Sequence, residues 1–85
     1  MTYHKLEPIS SEKFHKFIQA TLCESRGVVN GRAKYWRFDL KRPIQFQDKG
    51  SIPVIEIQIC LRILSIRVEK YLDMLDGLFP LDCHE

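Results

Sequence analysis

Arg26, Arg32, Lys34, Arg37, Lys41 and Arg42 fall within one short stretch that holds a single carboxylate, Asp39. The stretch has a net charge of +5 in a chain whose total is +2, so the remainder carries −3 and the molecule is electrically lopsided. Tyr35 lies among these cations. An aromatic ring beside ammonium and guanidinium groups on a strand has the make-up of surfaces that stack bases and neutralise phosphates. The planar fork of arginine suits carboxylates on an acidic protein equally well, and a charged hairpin can also simply keep a sheet edge soluble. No helix-turn-helix, zinc-finger or RNA-recognition signature accompanies the stretch. Arg32, Lys34, Tyr35, Arg37, Lys41 and Arg42 are therefore expected to form a partner-binding surface. A protein is the expected partner and nucleic acid the alternative.

Other chemistries find little support. His4, His15, Cys23, Cys60, Cys83 and His84 have no usual metal-ligand spacing, and Cys83-His84 between Asp82 and Glu85 would be at most a loose chelate. Gly27, Gly31 and Gly50 belong to no phosphate loop or dinucleotide fingerprint. There is no HExxH and no GxSxG, and Ser10, Ser11 and Glu12 are better explained as helix-start residues than as nucleophiles. The expectation is a protein that is not an enzyme, with neither metal nor cofactor. Three scattered cysteines make a poor disulfide framework, which points to free thiols and a cytoplasmic setting. The most apolar run, Ile52 to Leu64, is broken by Glu56, Gln58 and Arg62, so no membrane partner is expected.

The elements that must position the basic stretch follow from spacing. Eighty-five residues, 45% hydrophobic and 28% charged, suit a single small globular domain, 1–85, with one core. Ser10 is placed to cap a helix, with Ile9 and Phe14 spaced as a hydrophobic staple. Phe14, Phe17, Ile18 and Leu22 then recur at helical intervals, predicting a helix from Ser11 to Ser25 that stops at Gly27 with His15 exposed. Asn30-Gly31 signals a two-residue hairpin. Beyond it, Trp36, Phe38 and Leu40 alternate with Tyr35, Arg37 and Asp39, which predicts an apolar face made by the first set and a polar face carrying Tyr35 and Arg37. Ile44 and Phe46 alternate with Gln45 and Gln47, and Asp48 to Ser51 make the next turn.

Within a span from Pro53 to Asp76, no Gly, Pro or Asn after Pro53 itself interrupts a seam of Ile57, Leu61, Leu64, Val68, Tyr71, Leu75 and, just past it, Leu78. One long helix over that span is predicted; the alternative is a strand to about Cys60 followed by a helix from about Ile63. The expected fold is α+β: an N-terminal helix, a short antiparallel β-sheet and a long C-terminal helix packed on the sheet. Ile59, Ile63 and Ile66 would form a second apolar stripe, predicting a homodimer or partner helix face. Taken together, these residues predict a small regulator or inhibitor acting by protein–protein interaction.

Overall fold

Period-two alternation, helix caps and turn residues place eight elements along the chain, seen in a computed structural model that describes residues 6–79. They are β1 (Ile9–Ser10), α1 (Ser11–Ala20), β2 (Glu24–Val29), β3 (Arg32–Trp36), β4 (Ile44–Gln47), β5 (Ser51–Ile52), α2 (Val54–Leu64) and α3 (Val68–Leu78). β2, β3 and β4 form one antiparallel sheet in that order, and β1 pairs with β5 in a second, two-stranded one. The class is α+β, as expected.

α1 begins where its cap predicts: Ser10 is extended, and its hydroxyl accepts from the Lys13 amide at 3.3 Å. It ends a full turn earlier than predicted. The Thr21 hydroxyl donates back to the Ile18 carbonyl at 2.6 Å, and Leu22 turns the chain through φ 68°. Helices commonly end on a residue in this left-handed conformation, which is usually glycine. Here a leucine takes the role. Gly27 instead lies within β2 at φ 90°, at a break in register where Arg26 and Gly27 face the single residue Lys34. Asn30 and Gly31, at φ 54° and 75°, make the predicted hairpin, with Val29 opposite Arg32.

The long C-terminal helix is in fact two helices. Ser65 adopts φ 59°, and the Ile66 amide reaches back to the Leu61 carbonyl at 2.9 Å, a closure that ends α2 without glycine, proline or asparagine. α3 then starts afresh at Val68. The seam is kept even though the helix is not. Ile57, Leu61, Leu64 and Tyr71 are buried, and Val68 and Leu75 pack against them. No helix among the described residues is long and apolar enough to cross a membrane.

The core lies between the three helices and one face of the larger sheet. Phe14 of α1 meets Phe46 of β4 edge-on at 4.8 Å, and Phe17 meets Tyr71 of α3 in the same way at 4.8 Å. Each such ring contributes about 2–3 kcal/mol by leaving water, so in a small domain these few contacts carry much of the stability. Leu40 is buried as expected, whereas Trp36 is only partly covered and Phe38 is 86% exposed. The predicted core face of β3 is thus on the wrong side.

Among the described residues one buried side-chain polar atom lacks a partner: the Tyr71 hydroxyl, on a residue left only 1% exposed. Burial, with a contribution from the Cys60 thiol, pushes Tyr71 up to about 12, and burial together with Glu56 does the same to Cys60. The unfolded chain releases these protons near 10 and 9, so it binds fewer protons than the folded chain as the pH rises. Stability is therefore full below about pH 9 and falls between about pH 9 and 12. Urea denaturation at about pH 8 and about pH 10.5 measures that loss, and Cys60→Ala should reduce it. Tyr71→Phe removes the unpaired hydroxyl and should stabilise the protein by about 1 kcal/mol at neutral pH.

Candidate functional site

Strand β3 decides which side chains meet solvent. Ala33 and Tyr35 point into the core, while Arg32, Lys34 and Trp36 point away from it. Tyr35 is 3% exposed, so the expectation that it lies on the free strand surface is corrected. Its ring stacks on Phe46 at 5.9 Å with the planes 8° apart. Its hydroxyl lies 2.8 Å from Nδ1 of His15 and 3.3 Å from the Gln19 amide nitrogen. His15, expected to be exposed, sits between Tyr35 and Asp48, with Nε2 2.9 Å from an Asp48 carboxylate oxygen. That carboxylate only accepts, so Nε2 carries a proton; in the neutral ring Nδ1 then accepts from the Tyr35 hydroxyl, and the hydroxyl oxygen accepts from Gln19. Every member of the network is satisfied, and it ties α1 to β3 and to the turn after β4.

Among the described residues no helix packs on the other side of the sheet. Arg26, Val29, Lys34, Trp36 and Pro43 line a shallow groove there. The Arg26 guanidinium lies over the Trp36 ring at 5.4 Å, brought there by the bulge at Arg26-Gly27, and stands 4.0 Å from Glu24. Lys34 projects from the centre of the sheet opposite Gln45, with no carboxylate within salt-bridge range among the described residues. Arg32 is partly committed: its guanidinium reaches Glu56 of α2 at 3.4 Å, and the same carboxylate accepts from the Gln47 amide. The aromatic on the basic surface is therefore Trp36 and not Tyr35.

Arg37 is an internal clamp. Its Nε and Nη2 donate to the two carboxylate oxygens of Asp39 at 2.6 and 3.2 Å, and Nη1 donates to the carbonyl of Thr21. The hydrogen bond to Asp39 raises the Arg37 pKa and lowers that of Asp39. The clamp joins the turn after α1 to the loop after β3, and so holds Leu22 and Phe38 beside one another, 81% and 86% exposed. Lys41 and Arg42 lie on a separate rim with Asp39 and Arg62, around a depression of about 290 Å³. The six predicted residues thus divide into a sheet face (Arg32, Lys34), a buried strut (Tyr35), a clamp (Arg37) and a loop rim (Lys41, Arg42).

The apolar stripe predicted from Ile59, Ile63 and Ile66 is not continuous. The break at Ser65 puts Ile66 outside α2, and both Ile63 and Ile66 pack against the core. Ile59, 45% exposed, pairs instead with Ile55, 65% exposed and one turn earlier. Cys23 and Cys60 are free, buried thiols; Cys83, His84 and His4 lie outside the described residues. Among the described residues no three His, Cys, Asp or Glu side chains come together as metal ligands. The Asp48–His15–Tyr35 row has the order of a proton relay, but its terminal hydroxyl is buried against Phe46 and already accepts from Gln19. Its chemistry is that of a strut. His15 and Gln19, one turn apart on α1, were the sequence signal for it, since two polar residues at i, i+4 beside the apolar stripe form an inward-reaching pair.

Tyr35→Ala should therefore act on the fold and not on a surface, costing about 3–5 kcal/mol in urea denaturation. Lys34→Ala, on the uncovered face, should stay within about 0.5 kcal/mol of the parent. Comparison with known protein families, curated proteins and solved structures finds no match to this chain.

Proposed function

We propose that this protein is a non-enzymatic binding module, a small regulator or inhibitor that recognises an acidic protein surface through the uncovered face of its sheet. The observation that carries this reading is the placement of Arg26 and Lys34 around Trp36 on a sheet face over which no helix of the described residues packs. Tryptophan and arginine are the residues most often found at the energetic centre of protein interfaces. Here Trp36 sits on a paired strand and the Arg26 guanidinium rests over its ring, so little freedom is lost when a partner orders them. Lys41 and Arg42 extend the positive field along the neighbouring rim and would speed encounter with an acidic partner. A nucleic-acid partner is less well served, because the predicted stacking ring, Tyr35, is buried. Self-association belongs to the same reading, with Ile55 and Ile59 of α2 as the apolar face offered to a second copy.

A photo-crosslinking residue at Gln45, the neighbour of Lys34 on β4, tests the reading in lysate of the source organism. One protein adduct that survives nuclease and disappears in Arg26→Glu/Lys34→Glu is the expected result. Adducts lost on nuclease treatment, with affinity falling at a log–log salt slope of about −3 or steeper, would assign the face to nucleic acid. For self-association, light scattering should show Ile59→Glu shifting a dimer to monomer while the midpoint of urea unfolding stays unchanged.

A further inference from the structure

Leu22, Glu24, Trp36, Arg37 and Phe38 enclose a cleft of about 230 Å³ at the open end of the β2–β3 hairpin. That is below the range of drug-sized ligand pockets and is enough for one large side chain. Two of its walls, Leu22 and Phe38, are among the most exposed large apolar residues of the molecule. Ordinary folding economy does not place them there. Leu22 occupies the left-handed position after α1, where glycine would turn the chain without strain and leave no apolar surface in water. The backbone beside both residues is nevertheless tied down, because Arg37 bonds to the Thr21 carbonyl next to Leu22 and to the Asp39 carboxylate next to Phe38. An exposed apolar pair, one member of which sits on left-handed backbone and both of which flank a charged clamp, has the character of a prepared anchor site.

The charges around the cleft say what enters it. The Trp36 wall is shared with the groove that holds Arg26 and Lys34, and the loop of Phe38 runs on into the rim of Lys41 and Arg42, near Arg62. The cleft itself contains the carboxylate of Glu24, and Asp39 adjoins Phe38. Its apolar walls are Leu22, Trp36 and Phe38, and the Glu24 and Arg37 charges within it are one of each sign. Lysines and arginines outnumber carboxylates on both flanks, so the cleft complements a segment with acidic residues on either side of one apolar side chain. Carboxylates at the very tips that would have to enter a bilayer disfavour an anionic membrane. We infer that the Leu22–Trp36–Phe38 cleft seats a single aromatic or branched aliphatic residue carried on an acidic segment of the protein partner. This inference rests on the reading of the sheet face as a protein-binding surface. Arg37 serves in it as a positioning residue.

The probe is a fluorescein-labelled peptide with one central phenylalanine between runs of acidic residues, followed by fluorescence anisotropy. A control peptide carries serine in place of the phenylalanine. The expected result is saturable binding of the first peptide and binding at least about tenfold weaker for the control. Leu22→Gly should raise the melting temperature, because glycine suits the left-handed turn, yet weaken binding at least about tenfold. Phe38→Ser should weaken binding to a similar extent with the melting temperature unchanged. Arg37→Lys keeps the charge but loses the fork, so it should behave like Arg37→Gln; retention of full affinity by Arg37→Lys would show a surface charge and not a clamp. Equal binding of both peptides, lost in Lys34→Glu but unaffected by Leu22→Gly and Phe38→Ser, would overturn the anchor cleft and leave the basic face standing. Binding of neither peptide would remove both readings. Retention on phosphatidylserine vesicles, abolished by Phe38→Ser with no peptide binding, would assign the cleft to a membrane and overturn the inference.

Discussion

The hydroxyl of Tyr35 is the constraint on which the rest of the structure depends. Burying a tyrosine oxygen without a hydrogen bond is costly, and at Tyr35 His15 and Gln19 of α1 supply the partners while Phe46 covers the ring. Because side chains alternate along a strand, seating Tyr35 in the core sends Lys34 and Trp36 to the opposite face. A shift of one residue would bury a lysine and expose the tyrosine. The same parity, continued past the end of β3, places Phe38 in solvent and lets Arg37 turn back to the end of α1. The binding face, the clamp and the anchor cleft are thus consequences of where one phenol finds its hydrogen-bond partners.

Stability and display are set by different residues. The aromatic cluster of Phe14, Phe17, Phe46 and Tyr71 holds helices and sheet together and has no part in the surface features. Leu22, Phe38 and Trp36 add little to that core. Their positions come from the early end of α1 at Thr21, from the left-handed backbone at Leu22, and from the two-sided hydrogen bonding of Arg37. This separation lets the surface change without loss of the fold, as expected of a module whose specificity resides in a few exposed side chains.

Much of the scaffold was legible in the sequence. The Ser10 cap, the Asn30-Gly31 hairpin, the alternation of Ile44 and Phe46 and the apolar seam through Ile57, Leu61, Leu64 and Tyr71 all rest on local rules that tertiary packing did not override. The misses have two physical origins. At Leu22 and Ser65 ordinary residues adopt the left-handed turn usually marked by glycine, so α1 ran too long and α2 and α3 were merged. On β3 the greater hydrophobicity of Trp36 and Phe38 suggested the core face, but a satisfied hydroxyl outweighed it. The basic character of the site was visible; its division among face, clamp and rim was not, because that depends on hydrogen bonds between residues far apart in the chain.

Trp36 is the only tryptophan, so its fluorescence reports the parity of β3 directly. In native protein at low ionic strength the emission should be quenched by iodide more efficiently than by caesium, because the ring is open to solvent beside Arg26 and Lys34. Arg26→Glu should narrow the difference between the two ions. A blue-shifted emission resistant to both quenchers until the chain unfolds would place Trp36 in the core, expose Tyr35 and contradict the account.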